Sequence, residues 1–79
     1  MQMIDIGFKS LVSADKILAV ITPDSSPVKR MIQEAREKGK LIDATYGRKT
    51  ESVLVLENDH VMLSSLEPQK IAERMAETK

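Results

Sequence analysis

The 79-residue chain has no cysteine and no tryptophan, and only one phenylalanine, one tyrosine and one histidine. Without cysteine, disulfide staples and thiolate metal sites are excluded, and a lone histidine argues against a histidine-based zinc site. The scarcity of aromatics leaves no interleaved stacking platform, which argues against single-stranded nucleic acid as the main target. No apolar run approaches membrane-spanning length. A Gly-rich phosphate loop, paired metal-ligand spacing and a Ser/His/Asp order are also missing. The sequence therefore points to no catalytic residue, metal, cofactor, membrane association or small-molecule substrate. Met1-Gln2-Met3-Ile4-Asp5 lacks the basic and apolar regions of a secretory signal, so the expected location is the cytoplasm.

What is present is charge, in balance overall but not along the chain. Residues 1–50 carry nine Lys/Arg against six Asp/Glu, and residues 51–79 carry three against six, so a neutral total hides +3 and −3 halves. Such a chain can show a basic and an acidic face at once. Its length sets a single small domain, 1–79, with residues 77–79 expected to fray.

The apolar pattern predicts an α+β domain with the order β-β-α-β-β-β-α and a small, mostly antiparallel five-stranded sheet. Met3–Ile6 forms a strand closed by Gly7. Phe8 reads as a core anchor, and residues 9–15 as a connection. Lys16–Thr22 forms the second strand, ended by Pro23. Ser26-Pro27 marks a helix start, and Gly39 ends the helix after about Lys38. Val28, Met31, Ile32 and Ala35 give it one apolar stripe, beside a mostly basic stripe of Lys29, Gln33, Arg36 and Lys40. Leu41–Thr45 is the third strand. Ser52–Glu57 and His60–Ser65 form a hairpin around Asn58-Asp59, which tolerate positive φ. Pro68 opens a short helix with Ile71, Ala72 and Met75 inward. Val53–Leu56 and Val61–Leu63 are apolar at successive positions, so both faces of that hairpin need cover. Two helices are little material for this, and self-association would supply the rest.

Leu41-Ile42-Asp43-Ala44-Thr45-Tyr46-Gly47-Arg48-Lys49-Thr50 concentrates what chemistry the chain offers. Strands on both sides of Tyr46-Gly47 would fix the direction of Arg48 and Lys49. An ordinary hairpin with two solvated charges is the plainer reading. Asp43, Tyr46 and His60 are the one set that could be bent toward acid–base work, and no motif supports it. Ser25-Ser26-Pro27 could hold a phosphate at a helix start, but nearly every helix has such an end and plain capping is the better reading. The wider basic set is Lys9, Lys16, Lys29, Arg30, Arg36, Arg48 and Lys49. Duplex phosphates suit such a set, but on composition alone a solvated basic face is the plainer account.

Ile6-Gly7-Phe8, Val12-Ser13-Ala14, Ser26–Ile32, Leu41–Lys49 and Asp59-His60-Val61 are similar in order and spacing to the RemA-type regulators. These are small bacterial proteins of the extracellular-matrix regulator A family, and the resemblance covers roughly residues 4 to 68. It implies a DNA-binding transcription regulator associated with biofilm matrix genes and assembled as a ring-shaped homo-oligomer. It also implies DNA contacts at Lys16, where a better-known member has arginine, and at Arg48 and Lys49, usually an Arg-Arg pair. Lys9, Lys29 and Arg30 are further candidates. Lysine keeps the charge of arginine but not its bidentate fork, and Glu51 stands where the family pattern has a basic residue. The competing function is an oligomeric scaffold or protein-interaction module whose basic loop docks an acidic partner. Convergence of Lys16 with the loop would favour DNA binding, and burial of Arg48 against a neighbour's carboxylate would favour the scaffold.

Overall fold

The structure is a computed structural model that describes residues 2–77. Its elements are β1 (Met3–Asp5), β2 (Leu11–Ser13), β3 (Ile17–Ile21), α1 (Ser26–Glu37), β4 (Leu41–Asp43), β5 (Ser52–Leu56), β6 (Val61–Ser64) and α2 (Pro68–Glu77). The class is α+β, as the apolar pattern predicts. Of the residues expected to fray, Glu77 is helical, and 78 and 79 lie outside the described residues.

The strands make two sheets rather than one sheet of five. β1 and β2 pair as an antiparallel ribbon, and β3-β5-β6-β4 form the main sheet. Leu11-Val12-Ser13, expected to be part of a connection, is the additional strand. All main-sheet pairs are antiparallel except β4–β6, where Ile42 lies opposite Met62. β4 and β5 are not neighbours, so the Tyr46 loop crosses the end of the sheet and is not a hairpin turn. The β5–β6 hairpin turns at Asn58 and Asp59, both with positive φ, as their tolerance of that region allows.

α1 lies on one face of the main sheet. Ala35 is buried with Val53, Val61 and Leu63, and the rest of its stripe, Val28, Met31 and Ile32, is half-buried against them. Its N-cap is Ser25, one residue before the expected serine, accepting a bond from the Val28 amide at 3.3 Å. The β1–β2 ribbon and α2 cover the other face. Ile4, Ile6, Val12 and Ile71 meet Leu54, Leu56 and Met62 there. In α2, Ile71 is buried and Met75 packs against the cluster, but Ala72 faces solvent rather than inward.

The chain thus covers both faces of its apolar hairpin by itself. Val53 and Leu54, which point in opposite directions from adjacent positions, are each 0% exposed. The ribbon supplies the cover that two helices alone do not, so the apolar hairpin is no longer a reason to require a partner.

Two buried serines close this second layer. The Ser64 hydroxyl donates to Ile6 O at 2.6 Å and accepts from the Leu66 amide at 3.1 Å. Its cross-strand partner Ser52 donates to Leu66 O. Burial of a hydroxyl is tolerated when its hydrogen bonds are made, and here those bonds tie Ile6, just after β1, and the segment entering α2 to the main sheet.

Candidate nucleic-acid interface

Two tight turns from separate parts of the chain meet at one end of the molecule. In the first, the Ser10 amide donates to Gly7 O at 3.0 Å, and Phe8 and Lys9 between them have φ of 54° and 64°. In the second, the Arg48 amide donates to Thr45 O at 3.1 Å, and Tyr46 and Gly47 have φ of 55° and 82°. Positive φ at both central positions of a closed four-residue turn is the signature of type I′.

Each turn is held from below. The Asp5 carboxylate accepts from the Gly7 amide at 2.7 Å, and Arg74 of α2 donates to Asp5 O at 2.6 Å. A Cβ on Gly7 would come within 3.5 Å of Leu66 and Ser65, and its φ of 119° disfavours any other residue. In the second turn, the Asp43 carboxylate accepts from both the amide (2.9 Å) and hydroxyl (2.6 Å) of buried Thr45. Those bonds, with the Arg36 charge, hold the Asp43 carboxyl below its ordinary range against a small opposing effect of burial.

The side chains of the two turns touch. The rings of Phe8 and Tyr46 pack edge to face with centroids 5.8 Å apart. The Arg48 guanidinium lies over the Phe8 ring, 4.3 Å from its centroid. Phe8 is 46% exposed, so it belongs to the surface and not to the core expected of the only phenylalanine. Lys9, Arg48 and Lys49 are all exposed on this tip. Such an arrangement offers an anion Lys9 and Arg48 on backbone fixed by the two turns, with Lys49 beside them.

Other candidates are placed elsewhere. Lys16 ends a short 3-10 turn, Ala14–Lys16, and enters β3 where Ile17 pairs with Leu56. The Tyr46 loop enters β5 at its opposite end, Ser52, about 14 Å away at the usual rise per strand residue. Lys16 and the loop pair therefore do not converge within one chain. Lys16 is instead 3.3 Å from Glu57, and Lys49 lies 4.0 Å from Glu51. Lys29 and Arg30 are exposed in the first turns of α1. Because Ile21 pairs with Val53, that helix starts at the same end of the sheet as the loop. His60 sits by the β5–β6 turn, bonded to Glu57 O at 3.2 Å, so Asp43, Tyr46 and His60 do not form a site. No group of three His, Asp or Glu residues among those described could hold a metal ion. No helix among the described residues is long and apolar enough to cross a membrane.

The fold and this tip describe a small non-motif protein presenting fixed cations, and comparison with known proteins gives its class. Residues 3–75 match the RemA-like family, described as extracellular matrix regulatory protein A-like. The chain belongs to that family. It is 53% identical to a protein of Caldicellulosiruptor saccharolyticus over 96% of this chain and 75% of that one. A protein of Geobacillus thermodenitrificans is 52% identical over 95% of this chain and 86% of its own length. One from Acetivibrio thermocellus is 49% identical over 95% and 81%. All three are provisionally named regulatory proteins.

Proposed function

We propose that this protein is a non-enzymatic, homo-oligomeric DNA-binding regulator that grips duplex phosphates through the tip formed by Lys9, Arg48 and Lys49. The observation that carries this reading is the joining of two type I′ turns by the Arg48–Phe8 contact. Long cations normally lose side-chain entropy when they bind. A guanidinium already resting on a ring loses less, and a backbone fixed from Asp43 and Asp5 delivers it to one place. Phosphate contacts need that positional regularity without needing base-specific groups.

Lys16 enters this reading through assembly. It stands about 14 Å from the loop along β5, and a neighbouring copy would repeat both kinds of contact along one stretch of DNA. Both edges of the main sheet expose an apolar side chain, Leu18 at 65% on β3 and Ile42 at 42% on β4. Free apolar edge strands are ready surfaces for pairing. A head-to-tail contact between them repeats from copy to copy, and closes as a ring if its rotation allows.

Light scattering combined with fluorescence anisotropy on a random duplex tests both halves. The expected result is an oligomer larger than a dimer that binds duplex DNA and releases it as salt rises. A monodisperse monomer would remove the assembly, and an oligomer that leaves DNA free in low salt would favour the scaffold reading. The family description speaks of extracellular matrix regulation, and control of biofilm matrix genes is the narrower role that the resemblance implies.

A further inference from the structure

The tip contains more than phosphate binding requires. Both aromatic residues of the chain, Phe8 and Tyr46, stand on it in mutual contact, and Tyr46 is 70% exposed. Both also sit in left-handed backbone, together with Lys9. For a bulky residue that region is an outlier, and such strain concentrates at functional positions. Asn58 and Asp59, the other described non-glycine residues with positive φ, are of the types that tolerate it. A type I′ turn favours Asn-Gly at its centre. Here the centres read Phe8-Lys9 and Tyr46-Gly47, so Gly47 is retained while Phe8, Lys9 and Tyr46 stand where residues at ease with positive φ would stabilise the turns.

We propose that Tyr46, backed by Phe8, is a base-contacting residue that packs its ring against a nucleobase of duplex DNA at an easily unstacked step. This inference rests on the DNA-binding reading above and adds base contact to phosphate contact. The Phe8 ring carries Arg48 on one side, so Tyr46 is the ring with open surface. Arg48 and Lys49 follow it after Gly47 and reach phosphates flanking the contacted base. Pyrimidine–purine steps unstack most readily, so they are the expected positions of contact. With only two rings, the tip suits one such step better than a run of single-stranded bases. The preference it produces is for deformable duplex and not for a base sequence read by hydrogen bonds.

The test uses the full chain and a duplex of alternating T and A in which 2-aminopurine replaces several adenines. Stacking quenches this base, so unstacking raises its fluorescence. Tyr46→Asn removes the ring while suiting the left-handed backbone, and its urea midpoint is expected at or above that of the parent protein. The parent protein is expected to raise the fluorescence on binding. Tyr46→Asn is expected to abolish the rise and weaken binding by about fivefold to about 150-fold, the range for one base–aromatic contact. Its salt dependence stays unchanged because no phosphate contact is lost. Tyr46→Phe, which keeps the ring but loses the 3.5 Å contact between Tyr46 and Ser10 hydroxyls, is expected to behave like the parent. Saturating binding with flat fluorescence overturns the inference and leaves phosphate binding intact. A Tyr46→Asn protein with reduced salt dependence also overturns it, since the ring would then only support Arg48. So does a Tyr46→Phe protein as impaired as Tyr46→Asn, since the hydroxyl would then be the active group. Absence of any duplex binding by the parent overturns both this inference and the reading beneath it.

Discussion

The Arg48 guanidinium carbon lies 4.3 Å from the centre of the Phe8 ring, joining the turn after β4 to the turn between β1 and β2. A cation over an exposed ring gains about 0.5–1 kcal/mol, too little to define the fold but enough to restrict one side chain. Phe8→Leu is therefore expected to leave the urea midpoint nearly unchanged while weakening duplex binding severalfold. Anisotropy titrations on Phe8→Leu and parent protein measure this. Unchanged affinity would mean that Arg48 needs no ring to place it.

A second prediction concerns acid. The Asp43 carboxyl is held below its ordinary range chiefly by the Thr45 hydroxyl and amide, so it is more acidic in the folded chain than in the unfolded one. Its contribution to stability is therefore present above the unfolded value, about 3.9, and is lost as pH falls through the folded value. Asp43 is exposed, and solvent screening keeps that contribution small. Asp43→Ala is expected to unfold at lower urea than the parent at pH 7, with the gap closing below about pH 4. A gap independent of pH would show that the carboxylate does not hold the Thr45 turn.

Ser64 offers a test of the second layer. Removing its buried hydroxyl leaves Ile6 O and the Leu66 amide without the partner they have now. Ser64→Ala is expected to cost about 1–3 kcal/mol in urea unfolding, the penalty of unsatisfied buried groups. A loss below about half a kilocalorie, the usual range for surface changes, would mean that the ribbon is held by apolar packing alone.

These layers were unequally legible in the sequence. α1 has a serine cap, Pro27, an apolar stripe and Gly39, each a local signal that tertiary contacts have no reason to override. β5 and β6 stand out because continuous apolar runs are what burial on both faces demands. Leu11-Val12-Ser13 is too short to show alternation, and its partner β1 is identified only by folding. That missed ribbon is why the apolar hairpin looked uncovered. Strand direction is not written in side chains either, so parallel pairing of β4 with β6 was hidden.

In the site, Arg48 and Lys49 stood out by charge next to a Tyr-Gly turn. Phe8 did not, because an isolated phenylalanine is usually buried. The hint available was its place after Gly7 in Gly-Phe-Lys-Ser, a turn composition. Lys16 was grouped with the loop by resemblance, whereas the antiparallel pairing of β3 with β5 sends it to the other end of the sheet.

The central claim is that fixed cations at this tip engage duplex phosphates, and the salt dependence of binding measures it most directly. Each phosphate contact adds about 0.9 to the slope of log affinity against log salt on duplex DNA. Duplex titrations over a series of salt concentrations should show a smaller slope and weaker binding for the Arg48→Ala, Lys49→Ala double variant, with its oligomeric state unchanged. Several loops engaged on one duplex multiply the loss. Glu51→Gln, which frees Lys49 from the carboxylate 4.0 Å away, should move affinity in the opposite direction. A double variant that binds with the parent's affinity and slope would contradict the account.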